Sequence, residues 1–291
     1  MATKKDITEE FDRISTLKDV LETYEEIAAA RMQNTRSSVI SGRLFISELN
    51  YIFQQVKSSH RDEMLRKMKR RHIKDPSKLT FIERNGKTLY VLLSSSSGLY
   101  GDIIKKTSEL FINLVREEKA DAVIIGRVGL ELFKNANLLI TYNYFDLPDN
   151  KVDNQALKKI ISYILQYERI FIVYGRFENI ISQKPIVTSI SGDPILREET
   201  VSNVKYFFEP SLDKIMKFFE AQIFASLFDQ TVFESQLAKF ASRMTSLELR
   251  VENIKDVLKD VAFEKEKIRH RIINKKQLET FSSMALWSQN G

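Results

Sequence analysis

Side chains that commonly catalyse reactions or bind metal ions are few in this sequence and widely spaced. It contains no cysteine, which excludes disulfides and thiolate metal sites. Its three histidines, His60, His72 and His270, lack the spacing of metal ligands. Neither a nucleophile elbow nor a Walker phosphate loop is present. The sequence therefore predicts a protein that needs no cofactor and is not an enzyme by itself.

Two pairs of glycines follow predicted strands and are the remaining candidates for a ligand site. Residues 98–101 (Gly-Leu-Tyr-Gly) and 126–129 (Gly-Arg-Val-Gly) each lie where a glycine-rich turn at a helix N-terminus can hold a phosphate. Neither contains the complete dinucleotide fingerprint. Residues 94–97 are all serine, but no base is positioned to activate a hydroxyl. We interpret these segments as tight turns and a loop.

Glycine and proline are concentrated in the middle of the chain. All five prolines lie in residues 76–210 and seven of the nine glycines in residues 86–192, whereas residues 211–290 contain neither. Inside a helix, proline costs about 3 kcal/mol and glycine about 1 kcal/mol relative to alanine. The distribution therefore predicts a long N-terminal helix, a central globular domain and a long C-terminal helix.

Apolar residues in the C-terminal segment repeat in alternating steps of four and three, which is typical of a coiled-coil seam. The predicted seam consists of Phe233, Leu237, Phe240, Met244, Leu247, Val251, Ile254, Leu258 and Val261. Lys265 then interrupts the repeat. A looser N-terminal stripe contains Ile7, Phe11, Ile14, Leu17, Leu21, Tyr24 and Ala28. We expect the two helices to pair as an antiparallel coiled coil. Periodicity alone leaves open that each packs on an ordinary core or self-associates.

The central segment alternates strand and helix patterns, which indicates βα units and a largely parallel, Rossmann-like sheet. Strands are predicted at residues 88–94, 122–125, 169–174, 184–190 and 205–208, and helices at 102–118 and 154–166. Residues 191–202 are predicted to be a loop. The expected organisation is an N-terminal helix (1–60), a basic connector (61–84), an α/β domain (85–209) and a C-terminal helix (210–285), with the two helices forming an axle.

The composition is that of a soluble protein with a substantial core. Hydrophobic residues make up 43% of the chain and charged residues 29%. No apolar run approaches the roughly 20 residues of a membrane span, and residues 1–10 do not resemble a secretory signal. The net charge of +6 permits an acidic partner without requiring nucleic acid. We expect a cytoplasmic location.

Six motifs, in order along nearly the whole chain, resemble the gamma subunit of F-type ATP synthases. They are residues 27–32 (Ile-Ala-Ala-Ala-Arg-Met), 97–101 (Ser-Gly-Leu-Tyr-Gly), 125–129 with Phe133, 173–185 with Ser182, Gln183 and Pro185, 206–210 (Tyr-Phe-Phe-Glu-Pro), and 241–244 with Asn253. Each match alone is weak, but their order on the predicted elements is specific. Ser96 and Ser97 depart from the usual Asp-Arg pair of this family.

The resemblance implies a central-stalk rotor that stands inside a ring of alternating alpha- and beta-type nucleotide-binding subunits. It also implies an epsilon-type stalk subunit and a membrane rotor ring as partners, at the cytoplasmic face of the cell membrane. Family positions that contact a catalytic subunit's catch loop match Arg243, Arg269, His270 and Asn274; positions that contact the rotor ring match Tyr206, Phe208 and Glu209. Because Arg243 lies beside the seam, its side chain is expected to reach outward.

Two alternatives remain at this point. The altered catch positions are compatible with the rotor of a related ATPase that drives another process, such as surface motility. The basic run on the last helix, from Lys255 to Lys276, fits an acidic loop on a catalytic subunit or a solvated helix face with balancing acidic residues. A nucleic-acid-binding coiled coil is disfavoured because acidic residues interrupt the run and stacking aromatics are absent from it.

Overall fold

The computed structural model describes residues 4–59, 82–149, 153–190 and 211–289, in which two long helices flank an α/β domain in the sequence. The elements in chain order are α1 (Lys4–Ser59), β1 (Thr88–Leu93), α2 (Ile103–Glu118), β2 (Asp121–Ile125), α3 (Arg127–Asn135), β3 (Tyr142–Phe145), α4 (Asn154–Ile164), β4 (Arg169–Phe177), β5 (Gln183–Ser189) and α5 (Leu212–Gln289). The prediction of helix, α/β domain and helix is confirmed.

The five strands form one sheet in the order β3-β2-β1-β4-β5. The pairs β3–β2, β2–β1 and β1–β4 are parallel, and only β5 runs antiparallel, against β4. The strand order reverses between β1 and β4, as at the switch point of doubly wound folds. The largely parallel, Rossmann-like sheet is therefore confirmed.

Each central strand contributes side chains to two apolar layers, because successive residues of a strand point to opposite faces. In β1, Leu89, Val91 and Leu93 lie in the layer that also contains residues of α4 and α5. Tyr90 and Leu92 lie in the layer that contains residues of α2 and α3. Helices therefore cover both faces, which explains why the strands of a parallel sheet are apolar throughout.

Local sequence explains where several helices begin and end. Asp153 caps α4 by accepting a hydrogen bond from the Gln155 N–H at 2.9 Å. Gly126 precedes α3 with φ of +102°, and a Cβ there would lie 2.8 Å from the Ser95 backbone. A side chain is thus excluded at Gly126 by both backbone conformation and space, in agreement with the prediction of a tight turn.

Two elements were not predicted from the sequence. Helix α3 has nine residues and begins within the second glycine pair, and β3 has four residues at the sheet edge. The predicted strand at 205–208, the loop at 191–202 and most of the basic connector lie outside the described residues.

Contacts within the chain define two units, residues 29–243 and residues 1–28 with 244–291. Within the first, Arg43 of α1 pairs with Glu234 of α5 at 2.7 Å, and the ring centroids of Phe53 and Phe219 are 5.8 Å apart. Partners later in α1 thus meet residues earlier in α5. The antiparallel pairing is confirmed.

The second unit shows the same antiparallel direction. Glu22 pairs with Lys255 at 3.3 Å, and the Lys265 ammonium lies 4.7 Å from the centroid of the Phe11 ring. The predicted interruption of the repeat at Lys265 is therefore a position where a cation lies over an aromatic ring of α1, with the lysine side chain half-buried.

Candidate functional site

The predicted seam residues of α5 are all buried or half-buried. Within residues 29–243, Leu237 and Phe240 are buried and Phe233 is half-buried. Within the other unit, Leu247 and Val251 are buried, whereas Met244, Ile254, Leu258 and Val261 are half-buried. Apolar contact along this face is what holds two helices of a coiled coil together.

The seam of α1 matches the predicted stripe at Ile7, Phe11, Ile14, Leu21 and Ala28, which are buried or half-buried, and differs from it at two positions. Leu17 and Tyr24 are about half exposed, at 50% and 47%. The half-buried positions are instead Lys18 and Glu25, which continue the four-three spacing from Ile14 to Ala28. The assignment of Leu17 and Tyr24 to this stripe was therefore wrong. Because Lys18 and Glu25 are polar, these two seam positions could not be recognised from the apolar pattern of the sequence.

The two polar seam residues of α1 have shifted pKa values. Burial raises the pKa of the Glu25 carboxyl, and the neighbouring Glu248 and Glu22 carboxylates raise it further. Hydrogen bonds to Asp19 and Glu22 raise the pKa of Lys18. Both interactions lie within the unit formed by residues 1–28 and 244–291.

Three of the four predicted catch residues lie on the exposed surface of α5. Arg269, His270 and Asn274 are exposed, and Arg269 forms a surface ion pair with Glu266 at 3.4 Å. Because all three are exposed, their side chains are accessible to a partner. His270 and Asn274 are four residues apart and therefore lie on the same side of the helix. The predicted foot residues Tyr206, Phe208 and Glu209 lie outside the described residues.

The fourth predicted catch residue, Arg243, is held by its own chain. Its guanidinium donates to the Gly98 carbonyl at 2.5 Å, and its Cζ lies 3.8 Å from the centroid of the Tyr100 ring. It also lies 3.3 Å from the Ser97 hydroxyl. The expectation of an outward-reaching side chain is corrected: Arg243 binds the loop between β1 and α2, residues 94–102.

One helical turn before Arg243, Lys239 forms a buried ion pair that sequence reasoning missed. Its ammonium donates to Asp149 Oδ1 and to the Ser94 carbonyl, both at 3.0 Å. The other carboxylate oxygen of Asp149 accepts from the backbone N–H groups of Ser96 and Ser97, at 2.9 and 2.8 Å. It also accepts from the Ser97 hydroxyl at 2.8 Å. Four donors therefore surround one carboxylate.

The pKa shifts at this ion pair have opposing causes. Burial lowers the pKa of the Lys239 ammonium, although Asp149 opposes this shift. For Asp149, burial acts to raise the pKa of the carboxyl, but Lys239 and the hydrogen bonds from Ser97 outweigh it and hold the pKa below its ordinary value. Mutual contact and the loop thus favour the charged form of Asp149, whereas for Lys239 the contact with Asp149 offsets only part of the effect of burial.

The cavity beside Lys239 is too small for a nucleotide. Its volume is about 10 Å³, and residues of β1, β2 and α5 line it. It borders the hydroxyls of Ser94 and Ser235, which are buried without a hydrogen-bond partner. A cavity of this size accommodates about one water molecule. The carboxyl end of β1, where doubly wound folds bind nucleotides, is here filled by side chains of the protein.

Sequence signals for this cluster were present but ambiguous. Lys239 interrupts an apolar run between Leu237 and Phe240, and a lysine within such a run marks either a solvent-facing position or a buried charge. Its partner is 90 residues away in sequence. Only the tertiary structure distinguishes these two cases.

The sheet order, the helices on both of its faces and the antiparallel pairing of the terminal helices within each unit are those of an α/β domain that is flanked in the sequence by two long, paired helices. Comparisons with known proteins identify the family. The sequence model of the ATP synthase family matches residues 3–285. The chain belongs to the ATP synthase gamma-chain family, and its function is that of the central-stalk rotor subunit.

Relatives of known identity match almost end to end. The ATP synthase gamma chain of Desulfitobacterium hafniense is 22% identical over 94% of this chain and 95% of its own length. That of Halothermothrix orenii is 23% identical, with 96% and 97% covered. The similarity to these relatives therefore extends over nearly the whole chain.

Two solved structures show the same fold. The rotor of Euglena gracilis mitochondrial ATP synthase has a TM-score of 0.61 and 15% identity, covering 93% of this chain and 98% of its own. The central stalk of Tetrahymena thermophila mitochondrial ATP synthase has a TM-score of 0.54 and 17% identity, covering 79% and 99%. The resemblance inferred from the six motifs is confirmed.

Among the described residues, none of the helices contains an apolar stretch of the length that a membrane span requires. No group of three or more histidine or acidic side chains in this part of the chain is arranged to hold a metal ion. The comparisons favour neither the motility rotor nor the nucleic-acid-binding coiled coil.

Proposed function

We propose that this chain rotates inside a ring of alternating alpha- and beta-type nucleotide-binding subunits and performs no chemistry itself. The observation that supports this most is the exposed apolar surface of the axle. In α1, the large side chains Leu17, Val20, Tyr24 and Ile27 are each more than 40% exposed at four-three spacing. Contiguous exposed apolar surface on a soluble protein marks an interaction site.

The exposed end of α5 has the same character with added charge. Phe263, Leu278 and Phe281 are about 70% exposed, and exposed lysines and arginines lie between them. An apolar surface flanked by basic residues is complementary to a ring of subunits that presents acidic groups to it. Because α1 and α5 differ in sequence, each subunit of the ring would meet a different face. Rotation would therefore shift the conformational populations of the catalytic subunits in turn.

We propose Arg269, His270 and Asn274 as contacts to the catch loop of a catalytic subunit, since all three are exposed. Arg243 is proposed as a fourth contact, whose orientation is fixed by its own loop. The related structures are a rotor and a central stalk with a c-ring. By analogy, we propose that Tyr206, Phe208 and Glu209 touch a membrane ring at the cytoplasmic face, beside an epsilon-type subunit.

The test is reconstitution of the full chain with alpha- and beta-type subunits of the same source. We expect the isolated chain to hydrolyse no ATP and the assembled complex to rotate a bead attached to this chain. Arg269→Ala should lower the turnover of the assembled complex roughly tenfold, because a charged interface hydrogen bond is worth about 1.5–3 kcal/mol. His270→Ala should act in the same direction with a smaller effect.

Arg250→Ala is the matched control, since Arg250 is an exposed arginine on the same helix and lies before the proposed contact surface of residues 263–281. Its turnover should stay within about twofold of the unmodified complex. Metal-dependent hydrolysis by the rigorously purified chain alone would contradict the non-catalytic assignment. Equal turnover of Arg269→Ala and Arg250→Ala would remove Arg269 from the catch.

A further inference from the structure

We propose that Lys239, Asp149 and the loop of residues 94–102 form a torque-bearing anchor that fixes α5 rotationally to the α/β domain. This inference rests on the rotor function proposed above. It concerns a different step from the catch: the transfer of torque between the axle helix and the α/β domain.

The anchor uses one face of α5. Lys239, Ser242 and Arg243 are three and four residues apart, so their side chains project from the same side of the helix. Ser242 donates to the Tyr100 carbonyl at 2.8 Å, Arg243 binds the Gly98 carbonyl, and Lys239 binds the Ser94 carbonyl. Three side chains of the helix thus hold three carbonyl groups of a single loop.

Asp149 connects a third segment of the chain to this cluster. It follows β3, and its two oxygens bridge Lys239 on α5 and the N–H groups of Ser96 and Ser97 in the loop. Successive backbone N–H groups after the first strand of a doubly wound sheet form an anion site. Here the anion is the protein's own carboxylate. Hydrogen bonds of this cluster therefore connect three segments of the chain: α5, the loop of residues 94–102 and the segment after β3.

Directional contacts are needed because apolar contacts resist twisting poorly. Phe224, Phe228 and Val232 pack α5 against the sheet, but hydrophobic burial is non-directional. A rotation of α5 that keeps apolar area buried would still break the Lys239–Asp149 contact. That would separate the buried Lys239 ammonium from its carboxylate and leave Asp149 without a counter-charge, which is strongly unfavourable. The ion pair therefore opposes rotation of the helix about its own axis.

The experiment measures the rotational stiffness of the assembled complex. A bead is attached to the α/β domain through Leu139→Cys, a fully exposed position in a chain without natural cysteine. The angular variance of the bead is recorded during pauses between ATP-driven steps. In Lys239→Met, we expect this variance to rise about twofold or more because the directional contact is lost.

Lys259→Met is the matched control, because Lys259 lies on the same helix but is exposed and pairs only at the surface, with Asp256. Its bead variance should equal that of the unmodified complex. Unchanged variance in Lys239→Met would overturn the anchor. If unmodified complexes hydrolyse ATP while the bead does not rotate, the rotor function fails instead, and the two failures are distinguishable.

A second measurement applies if Lys239→Met does not assemble. Hydrogen exchange of the full-length chain reports the Ser96 and Ser97 amides that donate to Asp149. Their exchange should accelerate at least about tenfold in Lys239→Met, while the amides of α4 keep their protection. In Lys239→Met with Asp149→Asn, part of the protection should return because no unpaired charge remains buried. Unchanged exchange at Ser96 and Ser97 in Lys239→Met would overturn the anchor.

Discussion

The two parts of helix α5 differ in what surrounds their side chains. Between Met216 and Ser242, many residues are buried, and they include large aromatics and charged groups such as Glu220 and Lys239. Beyond Val251, none of the described side chains of α5 is buried. One helix thus serves two purposes. Its first part is fixed by buried apolar and polar contacts, and its second part presents surface.

Helix propensity and apolar periodicity therefore do not determine whether a segment of helix is buried in a domain or presents an exposed surface. Both parts are continuous helix with apolar residues at regular spacing. Mutations should therefore be costly for stability in the first part and mild in the second. The following predictions compare the two directly.

The largest difference is expected for buried and exposed phenylalanines. Phe228 is completely buried, whereas Phe263 is 71% exposed. Phe228→Ala should lower the free energy of unfolding of the full chain by about 3–5 kcal/mol, through lost burial and a cavity. Phe263→Ala should change it by less than about 0.5 kcal/mol. Urea denaturation followed by circular dichroism measures both, and similar values would contradict the comparison.

Ion pairs should show the same contrast at a smaller scale. Arg84 binds Glu220 of α5 at 2.8 Å, with little of either side chain exposed. Arg84→Met leaves a buried carboxylate without this partner and should cost about 3 kcal/mol. Arg269→Met removes an exposed pair with Glu266 in the second part of α5 and should cost about 0–1 kcal/mol. Equal midpoints in a denaturant titration of the two variants would show that the buried pair adds nothing.

The smallest effect on the free energy of unfolding is expected at Asp229, where substitution should stabilise the protein instead of destabilising it. Burial raises the pKa of this carboxyl to about 6, and its Oδ1 is buried without a hydrogen-bond partner. The folded state therefore holds a proton that the unfolded state has lost, so stability falls as pH rises from about 4 to about 6. Above that window the cost is about 1–2 kcal/mol, after discounting for partial exposure.

Asp229→Asn should therefore stabilise the full chain at pH 7.5 and have little effect at pH 4. Asp256→Asn, an exposed position on the same helix, serves as the control and should show no such pH-dependent gain. Unfolding free energies measured across this pH range decide the matter. A gain for Asp229→Asn that is independent of pH would show that removal of the charge is not its cause.

The arrangement of helix, α/β domain and helix, and the family, could both be inferred from the amino-acid sequence. Long helices repeat their apolar pattern many times and exclude glycine and proline, so residues 211–290 could be assigned without tertiary information. The buried strands β1, β2 and β4 are short apolar runs between helices, which also made them recognisable. Strand β3 was not predicted because its residues are mostly exposed at the sheet edge and do not form an apolar run.

The identity of the polar residues that are buried or lie at seam positions became clear from the tertiary structure alone. Lys18 and Glu25 occupy seam positions of α1 while Leu17 and Tyr24 face outward, a phase that an apolar pattern cannot reveal. Arg243 binds its own loop, and Lys239 pairs with Asp149 from a distant segment. A charge is stable in the interior only when a specific partner is brought to it, and that partner is chosen by the fold, not by its distance in sequence.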